Sequence, residues 1–465
     1  MVLGARGELF SVPAEHGEIR NISNTPKARE IAANWSPNGR YVAYLSDQSG
    51  EYDIYIYDIK SKQHKRITTD GQIWRFNPAW SPDSQKLAFS DKDHILWSVS
   101  IDGGKPKKLD SSSTNDIEHY RWSPDSRWLT YTKTENTGFS SIYVYDLNNN
   151  KAHKLSTASY HDYEPVFDDS GQYLLFLSNR DYNLAFSAYE FNYLYVDATR
   201  LYAAQLTDDT PPIYPYQSDE VELSENTSKE KKDKKDRDEK IKVSIDFEGF
   251  NNRITALPVK AGNYNGLQTA GDKLFVLKGD DNGQSLLLVS LKKEDEPKTV
   301  SNNVNNYRLA AQGEKILLQQ GDKLSIVEAK EGQDKNGQKL DLTNLSLKID
   351  PQTEWQQMYT DAWRILRDWF YDPNMHGMDW EGIRAKYQPL VDAATHRSDL
   401  DYILGEIAGE MNSGHIYVNS GDMPKVKRQE NGLLGATFEK DDSGYFKITS
   451  IFAVSYTHLR AHETT

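Results

Sequence analysis

The sequence predicts a mainly β protein, namely a β-propeller of six to seven blades followed by a small helical domain. Two patterns support this prediction. A Trp-Ser-Pro motif recurs with its aromatic residue at positions 35, 80 and 122, and a degraded copy has Phe at 167. After about residue 350, the spacing of apolar residues changes from a period of two to a period of 3.6, which indicates helices in place of strands.

The first pattern is typical of a repeated hairpin. Proline fixes one backbone angle of the Ser-Pro-Asp or Ser-Pro-Asn turn, and Asp or Asn tolerates the tight position after it. An aromatic and aliphatic strand follows each turn, such as Tyr41–Leu45 or Trp128–Tyr131, and two further short strands come after it. Four short strands in each repeat of about 40–45 residues form a propeller blade. The regular period disfavours the alternative of a β-sandwich.

Later blades lose the tryptophan but keep the spacing, as Lys273–Leu277 and Lys315–Leu318 illustrate. The propeller is predicted to span residues 1–349 with six clear blades. Two strands within residues 1–21 are expected to join a strand near Leu340–Leu347, which would complete a seventh blade and close the ring.

A charged insertion interrupts the propeller at about residues 218–243. Lysine, aspartate and glutamate alternate there without the apolar residues needed to build a core. A solvated, disordered loop is therefore predicted, and a docking tail is the functional alternative.

Three helices are predicted beyond residue 350. One face of the first helix is apolar and comprises Trp355, Met358, Tyr359, Ala362, Ile365, Leu366 and Trp369. This helix should end before Asp372-Pro373, which is a turn signal. The second helix is expected at about 379–394, and the third from about Arg397 to Asn412 with Ser398 as its N-cap.

His415 directly follows the third helix, and Gly414 lets the backbone turn before it. Histidine is the side chain best suited to acid–base catalysis near neutral pH. By its spacing alone, however, a lone histidine near a helix end is more often a capping or packing residue.

A Gly-Leu-x-Gly run, Gly432 to Gly435, precedes a predicted strand. It resembles the loop with which PDZ domains bind a peptide carboxylate through backbone N–H groups. Leu434 and Gly435 are therefore candidate peptide-binding residues, and an ordinary β-turn is the alternative. The helical domain is predicted over residues 350–423 and the beginning of a PDZ-like domain over 424–453.

In this order, these segments resemble the tricorn protease family, most specifically in residues 362–380 and 405–415. The resemblance implies a serine peptidase that degrades oligopeptides, assembles into hexamers and uses His415 as its general base. It places the serine nucleophile, the glutamate and the oxyanion hole in a later domain, so the chain is expected to be a truncated fragment that is inactive alone. Archaeal members have a serine directly before this histidine, whereas Gly414 occupies that position here.

Composition narrows the possible partners. A net charge of −14 argues against nucleic acid, and no apolar run is long enough for a membrane span. The absence of cysteine excludes disulfides and thiolate sites, and neither a metal nor a cofactor is expected. The resemblance implies a cytoplasmic location, with the periplasm as the alternative if a leader precedes the chain.

Two further expectations concern the end of the chain and a second function. Residues 454–465 do not continue a strand pattern and are interpreted as a non-native tail. The Trp-Ser-Pro-Asp blades also resemble those of TolB-type proteins, which are propeller binding modules without catalysis. The helical segment argues against this second interpretation because such propellers do not need it.

Overall fold

The computed structural model describes residues 1–181, 184–189, 191–215, 241–280, 283–310, 313–421 and 435–452. The chain divides into two compact units, Met1–Tyr417 and Val418–Thr465. Most of the predicted charged insertion, Leu434 and the tail 454–465 lie outside the described residues.

The first unit contains seven successive antiparallel sheets, which are the seven blades of a propeller. Blade 1 has three strands and the other six blades have four each. The innermost strands of blades 3 to 7 contact one another in succession, and β4 of blade 2 contacts β1 and β2 of blade 1. The prediction of a propeller is therefore confirmed.

The strands of blades 1 to 4 are as follows: β1 Val2–Ala5, β2 Glu8–Ser11, β3 Arg20–Asn21, β4 Glu30–Trp35, β5 Tyr41–Ser46, β6 Asp53–Asp58, β7 Gln63–Arg66, β8 Ala79–Trp80, β9 Lys86–Ser90, β10 Ile95–Ser100, β11 Lys107–Ser111, β12 Glu118–Trp122, β13 Trp128–Thr134, β14 Ser140–Asp146 and β15 Lys151–Lys154.

In blade 5, a separate two-stranded hairpin lies between the second and third strands. The strands of blades 5 to 7, with that hairpin as β18 and β19, are as follows: β16 Asp162–Phe167, β17 Tyr173–Ser178, β18 Leu184–Ser187, β19 Asn192–Tyr195, β20 Arg200–Gln205, β21 Ile254–Ala256, β22 Asn263–Ala270, β23 Lys273–Asp280, β24 Gly283–Ser290, β25 Lys298–Ser301, β26 Asn306–Leu309, β27 Lys315–Gln320, β28 Lys323–Glu328 and β29 Gln338–Lys339.

The Trp-Ser-Pro repeat joins blades as well as forming turns. The indole of Trp80 in blade 3 donates to the Asn34 carbonyl of blade 2 at 3.3 Å. The Trp122 indole of blade 4 donates in the same way to Ala79 of blade 3 at 3.1 Å. Because Trp80 and Trp122 each donate to a carbonyl of the preceding blade, these two copies of the repeat hold blades 2, 3 and 4 together.

The predicted closing strand near Leu340–Leu347 is wrong. These residues are described but form no strand, and β1–β3 remain a three-stranded sheet. A polar contact joins the two ends of the ring, since the Gln338 amide donates to the Ala14 carbonyl at 3.0 Å. The prediction failed because apolar residues at strand spacing do not by themselves supply a pairing partner.

The end of the predicted charged insertion also differs from the structure. Val243 is completely buried in the apolar cluster between blades 4 and 5. Its amide donates to Asp125 at 2.9 Å, and its carbonyl accepts from the Trp128 indole at 3.1 Å. Val243 therefore belongs to the propeller core.

Three helices follow the propeller: α1 Pro351–Trp369, α2 Trp380–Ala393 and α3 Arg397–Glu410. Asp379 caps α2 by accepting from the Gly382 amide. The predicted N-cap of α3 is wrong: His396, rather than Ser398, is the N-cap and forms a capping box with Asp399. Helix α3 also ends two residues earlier than predicted.

The second unit contains the hairpin β30 Ala436–Lys440 and β31 Phe446–Ile451. Gly435 precedes it with a left-handed φ of 64°, and its carbonyl accepts from the Phe452 amide at 2.7 Å. A single hairpin does not identify a PDZ-like domain, so that assignment remains a prediction.

Candidate functional site

His415 lies on an exposed turn directly after α3. Met411, which precedes the turn, is buried in the helical core, and Ile416, which follows it, packs against the same core. Between these anchors, Asn412 and His415 adopt left-handed backbone conformations with φ of 46° and 63°. Such angles are uncommon for residues other than glycine and persist only where the surroundings impose them. The turn therefore presents the imidazole outward from a fixed base.

The core beneath this turn is locked by two tryptophans. The Trp363 indole on α1 donates to the Trp380 carbonyl at 2.9 Å, and the Trp380 indole on α2 donates back to the Trp363 carbonyl at 3.2 Å. Leu400, Ile403 and Ile407 of α3 complete the buried cluster. Buried polar groups that are fully paired hold one packing arrangement, so the position of α3 and of the turn after it is well defined.

Helix α1 also carries a polar face that docks on the propeller. Arg364 and Asp47 form a 2.8 Å ion pair in which both side chains are only 3% exposed. Asp361 accepts from the Tyr52 hydroxyl at 2.9 Å and pairs with Arg29 at 2.5 Å. Buried charges require such partners because an unpaired one is strongly destabilising.

The last turn of α1 continues this interface. Arg367 makes a bidentate pair with Glu51 at 2.8 and 3.0 Å, and Asp368 accepts from the Trp74 amide at 2.9 Å. Burial alone would lower the pKa of Arg367, but the carboxylates of Glu51 and Asp368 outweigh it and raise that pKa. Burial raises the pKa of Asp368, although its hydrogen bond to Arg367 opposes this shift. The helical domain is therefore held on the propeller by charge pairs as well as by apolar contacts.

A cavity of about 980 Å³ lies among the innermost strands of the propeller. Strands of five blades line it, and two arginines, Arg121 of blade 4 and Arg308 of blade 7, are among its polar residues. Burial lowers the pKa of Arg121, and the charge of Arg308 lowers it further. Two carboxylates, Asp116 and Glu118, line the same cavity, so acidic and basic side chains both face it.

Two further ionisable groups lie on the inner strands. Burial lowers the pKa of His119 to about 4, aided by Arg121, so this imidazole is neutral near pH 7. Glu164 reaches the next blade and accepts from the Leu267 amide at 2.7 Å. His119 and Glu164 both have left-handed φ at bulges of their strands, and a bulge re-aims side chains next to a cavity.

The sequence analysis missed these inner-strand residues, although a signal for them exists. The residue before the aromatic position varies among the repeats, as Asn34, Ala79 and Arg121, while the tryptophan does not. All three of these residues line the cavity. Trp35 and Trp80 line the cavity as well, so the varying position before the tryptophan indicates where the chemistry of the lining changes from blade to blade.

Of the predicted site residues, His415 belongs to the first unit and Gly435 to the second, while Leu434 lies outside the described residues. The peptide-binding assignment stays a prediction. In the described ranges, no group of three or more His, Asp or Glu side chains is placed to hold a metal. None of the described helices is long and apolar enough to cross a bilayer.

Comparison with known families covers both parts of the first unit. Residues 1–330 match the family model of the tricorn protease second beta propeller domain, and residues 351–409 match that of the tricorn protease C1 domain. His415 lies just beyond the second match. The crystal structure of the tricorn protease superposes with a TM-score of 0.77 at 19% identity, covering 95% of this chain and 42% of that one. At this identity, the superposition supports the fold alone.

Two curated relatives align over nearly the whole chain. Tricorn protease homolog 1 of Streptomyces coelicolor is 24% identical over 97% of this chain and 44% of its own length. The tricorn protease homolog of Saccharolobus solfataricus is 26% identical over 98% of this chain and 42% of its own. The chain thus spans less than half the length of these relatives. With its propeller and its helical domain each matched by a tricorn family model, the chain belongs to the tricorn protease family.

Proposed function

We propose that this chain forms the propeller and the histidine-bearing part of a tricorn-type serine peptidase that degrades oligopeptides. The observation that carries the proposal is the His415 turn, which is exposed at its tip and anchored in the helical core on both sides. In a serine peptidase, the histidine takes a proton from the serine hydroxyl and returns it to the leaving amine. Family membership makes His415 the candidate for that role.

The proposed site is shared between domains. No serine nucleophile, glutamate or oxyanion hole is assigned within this chain, because the resemblance places these groups in a later domain. A peptidase site acts as a unit, and loss of one member of the triad removes most of the rate enhancement. The 465-residue chain alone is therefore proposed to be inactive as a peptidase.

The central cavity suits passage of an unfolded peptide. It is lined by polar and charged side chains and by backbone of several blades. Arg121 and Arg308 suit the carboxylate of a peptide, and Asp116 and Glu118 suit its amino group. We assign the cavity the role of a filter on the route of oligopeptides to the site.

The assignment of His415 is tested in a protein that carries this chain together with the later catalytic domain. His415→Ala should lower hydrolysis of a fluorogenic oligopeptide by about a thousandfold or more, mostly in kcat. His16→Ala, which removes an exposed imidazole of the propeller, is the matched control and should leave the rate unchanged. An unchanged rate in the His415 variant would exclude the histidine as general base.

The inactivity of the isolated chain is tested separately. The purified chain should neither hydrolyse the peptide nor react with a serine-directed fluorophosphonate. Hydrolysis that disappears in His415→Ala would show that a nucleophile lies within the 465 residues, contrary to the proposal. A TolB-like binding module has less support, because the helical domain is locked to the propeller by buried ion pairs.

A further inference from the structure

A second cavity, of about 760 Å³, lies between blades 5 and 6 of the propeller. Among the described residues, it shares no lining residue with the central cavity. Its volume is within the range of roughly 300–1,000 Å³ that is usual for small-molecule sites. The proposed function gives this cavity no role, so it is a candidate for a separate binding site.

One wall of this cavity is the connection from β21 to β22, and hydrogen bonds hold it in place. Thr199 and Gly262 exchange two backbone hydrogen bonds, at 3.1 and 2.9 Å. The Tyr264 hydroxyl donates to the Lys260 carbonyl at 2.9 Å. Because this wall is fixed before a ligand arrives, binding does not have to order it.

On the side of blade 6, three strands present a row of side chains to the cavity. Tyr264 of β22, Lys278 of β23 and Ser285 of β24 are direct cross-strand neighbours. Side chains alternate between the two faces of a sheet, so directly paired residues point to the same face. All three line the cavity, as does the buried Leu287, two residues further along β24. The row therefore places an ammonium group beside apolar surface.

Arg200 of β20 brings an unsatisfied hydrogen-bond donor to the cavity. Its Nη1 donates to the Asp181 carboxylate at 3.2 Å, and its Nη2 donates to the Leu257 carbonyl at 3.2 Å. Its Nε is buried and has no acceptor among the described residues. A buried donor without a partner is destabilising, and such groups are rare in native proteins. An oxygen atom of a ligand would satisfy this donor.

The charges around the cavity favour a ligand with a single negative charge. Lys260 and Lys278 line it together with Arg200, and neither lysine has an ion-pair partner in the described part of the chain. Three exposed acidic residues line it as well, namely Asp181, Asp280 and Glu296. These groups and the net charge of −14 repel a dianion such as phosphate more strongly than a monoanion. A carboxylate therefore fits this cavity better than a phosphate.

Apolar side chains complete the lining: Pro258 and Val259 of the connection, and Leu287 and Pro297 of blade 6. We infer that this cavity binds a carboxylate joined to an apolar body, with the carboxylate at Arg200 and Lys278. Burial of the apolar body supplies affinity, and the two cations fix its orientation. This chemistry occurs at the C-terminal end of an apolar peptide and in small carboxylic acids. The inference goes beyond the proposed peptidase function and does not depend on it.

Isothermal titration calorimetry of the 465-residue chain tests the inference with the peptide acetyl-Ala-Leu-Leu as the probe. The free acid should bind, and its C-terminal amide should bind at least about tenfold more weakly because it cannot form charge-assisted hydrogen bonds. Hexanoate distinguishes the two sources of the carboxylate: equal affinity means that a small acid suffices, and weaker binding than the peptide identifies a peptide end. Equal affinity of the peptide acid and its amide would overturn the inference. So would an absence of binding by both acids at about 5 mM, where a millimolar site is mostly filled.

Variants of single cations locate the bound peptide. Lys278→Met removes the charge but keeps an unbranched side chain, and it should weaken binding of the peptide acid about tenfold or more. Lys278→Arg keeps the charge and should retain most of the affinity. The matched control is Lys292→Met, which changes an exposed lysine of blade 6 that pairs with Asp272 outside the cavity and should bind as the parent chain does. Full binding in Lys278→Met together with loss of binding in Arg121→Met would place the peptide in the central cavity and would overturn the inference.

Discussion

Glu30 in blade 2 is a carboxyl group held almost entirely away from water, with 2% of its surface exposed. Its Oε1 accepts from the Ser46 hydroxyl at 2.8 Å. Burial raises its pKa to about 7, and the nearby carboxylates Glu8 and Asp47 add to the shift, while the hydrogen bond from Ser46 opposes it. Between about pH 4.5 and pH 7, the folded protein therefore holds a proton here that the unfolded chain releases.

This shift predicts a pH-dependent contribution to stability. Because the folded-state pKa lies above the ordinary value of 4.5, the contribution is fully present below about pH 4.5 and is lost as the pH rises through 7. Glu30→Gln mimics the protonated group and removes the cost of ionising it. The variant should match the parent chain near pH 4.5 and exceed its free energy of unfolding by up to about 3 kcal/mol at pH 8.

Urea unfolding curves across this pH interval measure the effect. Glu15→Gln changes an exposed carboxylate of blade 1 and should show little difference from the parent chain at either pH. A gain in Glu30→Gln that is the same at pH 4.5 and pH 8 would show that the carboxyl group does not titrate in this interval.

His415 and Arg364 show which properties of single residues can be predicted from the sequence. The position of His415 after a helix was readable, since helical periodicity ends just before it. The burial of Arg364 was not, because its partner Asp47 is 317 residues away and arginine is almost always exposed unless it is paired. Long-range ion pairs leave no local pattern.

At the level of elements, α1 illustrates what periodicity predicts and what it omits. Tyr359, with Trp355 and Met358 beside it, packs into the helical core as expected. Ile365 and Trp369 are instead 38% and 48% exposed. Helix α1 packs against the helical core with apolar residues and against the propeller with charged ones. A hydrophobic pattern detects only the first of these two surfaces, so the predicted apolar face included residues that are exposed.

The cap of α3 yields an element-scale prediction. The His396 ring accepts from the Ser398 amide at 3.2 Å, and the Asp399 carboxylate accepts from the His396 amide at 2.9 Å. His396→Ala removes the cap and should cost about 1 kcal/mol of stability. His396→Asn restores a good capping side chain and should lose much less.

Thermal unfolding of both variants, compared with Ser398→Ala, tests this assignment. The backbone amide and the hydroxyl of Ser398 both lie 3.2 Å from the same Nδ1 of His396. Because the amide remains in Ser398→Ala, this variant is expected to lose less stability than His396→Ala. A larger loss in Ser398→Ala than in His396→Ala would restore Ser398 as the cap that the sequence suggested.

At the scale of the molecule, the spacing of the repeat predicted a propeller of six to seven blades. It did not predict that helix α1 binds several blades of the ring. Helix α1 contacts three consecutive blades: Glu354 binds Arg6 of blade 1, Arg364 binds Asp47 of blade 2, and Trp369 packs edge-on against Phe76 beside blade 3. Blade 1 has no fourth strand, so α1 supplies part of the support that a closing strand would give. Repeat spacing carries no information about such a clamp.

This arrangement predicts where the propeller loosens when the clamp is damaged. Arg364→Ala leaves the Asp47 carboxylate buried without its ion-pair partner, which costs about 3–5 kcal/mol. Native-state hydrogen exchange should then show faster opening of β1–β6, while β22–β24 on the far side of the ring keep their protection. Arg364→Met combined with Asp47→Asn removes both charges but keeps the acceptor of the 2.7 Å bond from the Arg29 amide, so it should recover part of the loss. Equal acceleration in all blades would mean that the ring opens as one cooperative body and that α1 does not clamp blades 1 to 3.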